Sequence, residues 1–273
     1  MALVLWLAGC ATVPGPGPQV VRVGGSDTMG ILLLRWAEEF MRLNPGVVVE
    51  TSGGGSGRGI DGLISGDLDV AAASRPMLPE EVRRLHDRHG VLGVGFRCAR
   101  DAVSVYLNPL NPVRELSLRE LRDVYAGRVR SWREIAGGDD VPVELLGRPP
   151  VSGTHRLFRD LVLESDSFSP ALVALPTTSA ICDRVAGARG AVGYGGIAWG
   201  RGLVHLRVDG VAPTPEAVRS GAYPLARYLY LLTPRPPSGI VRRFVDWCLG
   251  PAGQAIVEEV GYVPLWRGEP GGR

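Results

Sequence analysis

Lysine is missing from this 273-residue chain: all 30 of its basic residues are arginine. Without lysine there can be no Gly-Lys-Ser/Thr, so a P-loop is excluded. Histidine and cysteine are scarce, with four of each. Cys10, Cys98, Cys182 and Cys248 lie far apart, and none belongs to a Cys-x-x-Cys pair, which argues against a metal centre or a redox motif. His86 and His89 share an Arg-rich helical stretch that reads as solvated surface. Excess charge is missing too: 30 basic against 28 acidic residues leave a net +2. That excludes nucleic-acid or membrane-surface binding driven by bulk charge. The apolar run Ala2–Ala8 has seven residues, whereas a membrane-crossing helix needs about 20.

The remaining composition, 45% apolar and 21% charged, is that of a globular protein with enough length for two lobes of roughly 100 to 150 residues. The short apolar run has the size of a secretory h-region, although no Lys or Arg precedes it. It ends in Leu7-Ala8-Gly9-Cys10, which resembles the lipobox of bacterial lipoproteins. A signal peptide over 1–9 is therefore expected, with Cys10 lipidated and the chain held to a membrane through that lipid. Residues 10–19 follow as a Pro/Gly tether with nothing to contribute to a core.

From Val20 onward, short β-rich runs alternate with helical periodicity. Strands are expected at Val20–Val23, Gly46–Glu50 and Leu68–Ala72, each followed by a helix. A second set begins with a strand at Ala102–Leu107. Ser117-Leu118-Arg119-Glu120 is a capping box opening a helix that stops near Gly127. Further strands are expected at Val141–Leu146, Ala191–Tyr194, Leu203–Val208 and Arg227–Leu232. Helices fit Thr154–Leu163, Ile240–Leu249 and Gln254–Val260. The order indicates an α/β protein of two lobes, with the chain crossing between them and back.

Four strand-to-helix junctions carry small polar residues: Gly24–Thr28, Gly53–Gly59, Ser74-Arg75 and Arg148–Thr154. Backbone N–H groups at a helix start attract an anion, glycines let the backbone approach it, and hydroxyls add donors. Any one of these turns is equally an ordinary cap or tight turn. Four together suit a small oxyanion at the carboxyl ends of strands. The Gly53–Gly59 stretch lacks the acidic residue that a Rossmann site would require.

At these residues, and from about Val21 to Leu265, the chain resembles the phosphate-binding lipoproteins of bacterial phosphate ABC importers. The resemblance is carried by Gly25-Ser26-Asp27-Thr28-Met29, Gly53–Gly57, Asp69–Arg75, Asp101–Asn108, Tyr125-Ala126-Gly127 with Trp132, and Ser152-Gly153-Thr154. Tyr223–Arg227, Gly253-Gln254 and Gly261–Leu265 extend it. It implies a type II periplasmic-binding-protein fold, with lobe 1 over 20–101 and 203–265, lobe 2 over 102–202, and a tail at 266–273. A hinge is expected near Ala102–Asn108 and Trp199–Leu203.

Carried over residue by residue, the resemblance places phosphate against Ser26 and Thr28, Ser56, and Ser74 with Arg75. It makes Arg148 the main cation, has Ser152, Gly153 and Thr154 donate from the second lobe, and has Asp101 accept the ligand's proton. Asp101 could instead cap a turn or pair with Arg97 or Arg100, and Arg75 could instead be a salt-bridge partner inside lobe 1. Arg58 and His155 depart from the family pattern. The expected function is an extracytoplasmic receptor delivering inorganic phosphate to an ABC permease with a cytoplasmic ATPase. It would be monomeric, non-enzymatic, free of metal or cofactor and without a nucleic-acid partner. Another tetrahedral oxyanion (sulfate or molybdate) is the first alternative, and a phosphate-ester hydrolase with Ser56 or Ser152 as nucleophile is the second.

Overall fold

The computed structural model describes residues 17–266, so the Ala2–Ala8 run and Cys10 lie outside the described residues. Strand β1 (Gln19–Gly25) leads through a single helical turn into α1 (Gly30–Leu43). Strand β2 (Val47–Ser52), helix α2 (Ser56–Ser65), strand β3 (Val70–Ala73) and helix α3 (Pro79–His89) follow, and then the long strand β4 (Val94–Leu107). In α1, Leu32, Leu33, Trp36, Ala37 and Phe40 recur at helical spacing and all are buried. Side chains of the size of Leu32, Leu33 and Phe40 each contribute about 1.5–3 kcal/mol on burial. Trp36 can be fully buried because its indole N–H donates to the Gly253 carbonyl, 2.9 Å away. Helices cover β3 on both faces, so every residue of Val70–Ala73 is apolar and buried.

The second lobe begins within β4. It contains β5 (Glu115–Leu116), α4 (Leu118–Tyr125), α5 (Arg133–Ala136), β6 (Glu144–Gly147) and α6 (Gly153–Phe158), which runs on into a wider turn to Leu163. Next come β7 (Val173–Ala174), α7 (Thr178–Gly187), β8 (Ala191–Gly196), β9 (Val204–His205), β10 (Arg207–Val208) and α8 (Pro215–Ser220). The chain returns through β11 (Ala226–Thr233) to α9 (Gly239–Leu249) and α10 (Pro251–Glu259). The capping box forms as the spacing predicts: Glu120 N donates to Ser117 Oγ at 3.1 Å, and Ser117 N to the Glu120 carboxylate at 2.8 Å.

One continuous sheet, ordered β2-β1-β3-β11-β4-β8-β6-β7 with β9 beside β4, runs through both lobes. β1 is parallel to β2 and β3, whereas β11 runs antiparallel to β3 and β4. Thus β4 starts eight residues before the expected Ala102 and is itself the first crossing. Its first half pairs with β11 and its second half with β8.

The expected return at residue 203 is a correction. Leu206, Val208, Val218, Tyr223 and Leu225 pack with Val103, Val105 and Leu116 in the second lobe's core. Lobe 2 therefore runs from 102 to about 225, and the chain returns at Leu225–Arg227, where Val103 N donates to the Leu225 carbonyl at 2.9 Å. The physical reason is that Leu203–Val208, expected as one strand, divides into β9 on β4 and β10 on β5. The Trp199–Leu203 segment is consequently no crossing. Trp199 instead anchors the lobes together by donating from Nε1 to the Thr28 carbonyl at 3.0 Å. Cys98, Cys182 and Cys248 are all free thiols. No helix among the described residues is long and apolar enough to cross a membrane.

Candidate functional site

The parallel register of β1 with β2 and β3 sets Gly24 beside Ser52 and Gly25 beside Ala72, so the three following turns emerge at one edge of lobe 1. Close packing there requires glycine: a Cβ on Gly59 would lie 2.7 Å from both the Gly24 carbonyl oxygen and Gly25 Cα. Gly25 itself has φ +129°, a region open mainly to glycine. From lobe 2, the β6 turn brings Arg148 and Ser152–Thr154 to the same place.

The hydroxyls meet there. Thr28 Oγ1 of lobe 1 lies 2.9 Å from Thr154 Oγ1 of lobe 2. Ser56 Oγ lies 3.2 Å from Ser74 Oγ and accepts from Ser74 N at 3.0 Å. Gly153 faces both serines, since a Cβ placed on it would be 2.5 Å from Ser74 Oγ and 2.6 Å from Ser56 Oγ. Across the same boundary, Gly57 N donates to the Val151 carbonyl at 3.0 Å. Ser26 and Ser152 are buried. Ser152 Oγ caps α6 by accepting from His155 N at 3.4 Å, which leaves its own proton to donate.

Three buried or nearly buried arginines surround the hydroxyls, each facing one carboxylate. Arg148 Nη2 donates to Asp27 Oδ2 at 2.6 Å and to the Pro176 carbonyl at 2.8 Å, and Nη1 donates to Thr178 Oγ1 at 3.0 Å. Its buried Nε has no partner among the described residues. Arg227 Nε donates to Asp101 Oδ2 at 2.7 Å, while Nη1 reaches Thr154 Oγ1 at 3.0 Å and Nη2 reaches Thr28 Oγ1 at 3.5 Å. Arg75 forms a two-pronged pair with Glu81 at 2.6 and 2.7 Å. Matched charges of this kind let a site offer many donors without a large positive field.

Two sequence expectations change here. The Asp101 carboxylate is already engaged by the protein: Oδ2 is held by Arg227 and Oδ1 by Ile197 N at 2.9 Å, in a side chain with no exposed surface. Burial pushes its carboxyl above the usual range and Arg227 pulls it back. Nor does it pair with Arg97 or Arg100. Register decides this, because Arg227 stands directly opposite Asp101 and Tyr228 opposite Arg100. The ring of Tyr228 accordingly takes the Arg97 and Arg100 guanidinium groups at 4.3 and 5.2 Å. The second concerns Arg75, whose fork is taken up by Glu81 within lobe 1, the alternative that the sequence left open.

Thr28, Ser56, Ser74, Arg148, Gly153 and Thr154 are brought together. Arg58 is exposed, beside Gly54. The His155 ring lies against Phe168, 4.6 Å between centroids, with Nδ1 3.4 Å from Tyr194 Oη, and burial lowers its pKa. Sequence reasoning missed Asp27 and Arg227 as members of the site. Both lie within stretches singled out as motifs, yet their partners are 121 and 126 residues distant.

The chain matches the model of a PBP superfamily domain over residues 12–252. It is 30% identical to the phosphate-binding protein PstS of Bacillus subtilis, covering 89% of this chain and 80% of that one. Against the phosphate-binding protein PstS of Pseudomonas aeruginosa the identity is 27%, over 88% and 81% of the two chains. A phosphate ABC transporter substrate-binding protein from Clostridium perfringens, solved with bound phosphate, superposes with a TM-score of 0.83. It is 26% identical, and the match spans 91% of this chain and all of that one.

Proposed function

The chain belongs to the PBP superfamily, and from that premise we propose that it is a phosphate-binding receptor which captures inorganic phosphate between its lobes and delivers it to an ABC permease. The observation that carries the reading is the meeting of Thr28, Ser56 and Ser74 from one lobe with Gly153 and Thr154 from the other. Beside them the buried Nε of Arg148 has no partner among the described residues. A tetrahedral anion there would exchange water for converging hydroxyl and amide donors. Charge-assisted hydrogen bonds of this type contribute about 1.5–3 kcal/mol each. Donors from both lobes make closure and binding one event, as in hinged binding proteins.

The likeness to phosphate-binding relatives favours phosphate over sulfate or molybdate. Hydrolysis fits the geometry poorly: Ser56 contacts Ser74, and Ser152 meets the backbone of His155 while that imidazole faces Tyr194. Neither serine has a general base in reach among the described residues. The proposed receptor works as a monomer outside the cytoplasmic membrane, tethered through lipidated Cys10.

Titration of the purified protein with phosphate, sulfate, arsenate and molybdate tests the reading. Saturable binding of one phosphate, with sulfate and molybdate much weaker, is expected. Failure to bind phosphate, or tighter binding of molybdate or sulfate, refutes it. Cys10→Ser should abolish acylation and membrane partitioning, and unchanged partitioning would refute the anchor.

A further inference from the structure

We propose that Asp27 is a cross-cleft positioning residue, a latch that aligns Arg148 only when the two lobes are shut. The proposal rests on the phosphate-receptor reading for its ligand but not for its geometry. Asp27 stands on the turn after β1 in lobe 1, and Arg148 on the turn after β6 in lobe 2. Their side chains are 13% and 1% exposed, so the 2.6 Å ion pair is shielded from salt and water. The other oxygen of the carboxylate, Oδ1, accepts from Gly54 N at 3.1 Å. One carboxylate therefore ties together the first turn, the Gly-rich turn and the arginine of the opposite lobe.

What the pair leaves over defines its role. Asp27 and Pro176 take both N–H groups of Arg148 Nη2, Thr178 takes one N–H of Nη1, and the buried Nε has no partner among the described residues. What remains for a ligand is the Nε–H and the second N–H of Nη1, while Nη2 is committed to the latch. Parting the lobes removes the one carboxylate that the described residues place on that group and leaves Thr178 and Pro176, neutral acceptors of its own lobe. A buried charge stripped of its counter-ion is unfavourable, so the pair favours the shut arrangement.

The sign of one substitution separates this role from mere proximity. A carboxylate near an anion repels it, so if Asp27 acted by charge alone, Asp27→Asn would tighten phosphate binding. A latch predicts weakening. The asparagine amide offers one acceptor oxygen where Gly54 N and Arg148 Nη2 both need one, and its NH2 would confront a donor. Asp27→Asn and Asp27→Ala should raise the phosphate dissociation rate about tenfold or more, with the association rate changed by less than about twofold. An independent reporter is the Gly57 amide, which donates to Val151 across the boundary.

Hydrogen exchange at Gly57, measured with and without phosphate, should accelerate about tenfold in both variants while amides inside α1 and α4 keep their protection. Tighter or unchanged phosphate binding by Asp27→Asn, or unaltered exchange at Gly57, would overturn the proposal. If the parent protein fails to bind phosphate, the receptor reading falls, and exchange at Gly57 alone decides the latch. Should Asp27→Ala fail to fold, Asp27→Asn carries the same test.

Discussion

Asp101→Asn should destabilise the protein rather than retune its anion preference. The carboxylate and Arg227 are 0% and 3% exposed, and the guanidinium contributes two nitrogens within 2.7 Å of Oδ2. Replacing the carboxylate by an amide leaves the arginine buried with no counter-charge and can set an amide NH2 against its N–H groups. Removing one partner of a buried pair costs about 3–5 kcal/mol. For a chain of this size, that corresponds to a melting point lowered by about 6–20 °C. The variant has no escape through titration, because arginine keeps its proton at any working pH.

Arg227→Met is different. Burial already pushes Asp101 upward and Arg227 is the main influence opposing it, so without the arginine the carboxyl should rise further. A raised folded-state value means that the native protein holds a proton the unfolded chain has released. The stability of Arg227→Met should therefore decline as pH rises from about 4 through that raised value. Thermal melts of both variants across pH, read by circular dichroism, test the pair. An Asp101→Asn loss under about 1 kcal/mol, or an Arg227→Met stability that climbs with pH over the same window, would refute the argument.

Gly153→Ala should wedge the lobes apart, since its Cβ would lie 2.5 Å from Ser74 Oγ and 2.6 Å from Ser56 Oγ. Calorimetry should find phosphate affinity lowered about tenfold or more, against a nearly unchanged melting point. Arg148→Ala should weaken phosphate binding at least about tenfold, and exposed Arg58→Ala by much less. A larger loss for Arg58 in the same titrations would mean that the cationic partner is wrongly assigned. His155 and His205 are both held below the ordinary histidine value by burial. As pH falls below about 6.5, the unfolded chain binds protons that the folded one refuses, so stability should drop, and His155→Phe should flatten part of that slope in pH-dependent melts.

The features legible in the sequence depend on neighbours a few residues apart. The capping box at Ser117, the apolar stripe of α1 and the hydroxyl-bearing turns after β1, β2 and β6 are set by local backbone geometry, and each stands where its pattern places it. The order of strands and helices follows for the same reason, and with it the two-lobed α/β plan. Tertiary structure alone decided which charges meet. Asp101 has arginines four residues before it and one residue before it, yet it faces one 126 positions away, because antiparallel β4 and β11 place Arg227 directly opposite. Leu203–Val208 has the composition of one strand, but burial in the lobe 2 core splits it between two sheets. Asp27 reads as an ordinary acidic residue in a helical first turn. Its bond to Arg148 exists only through the packing of one lobe on the other, a geometry that no local pattern encodes.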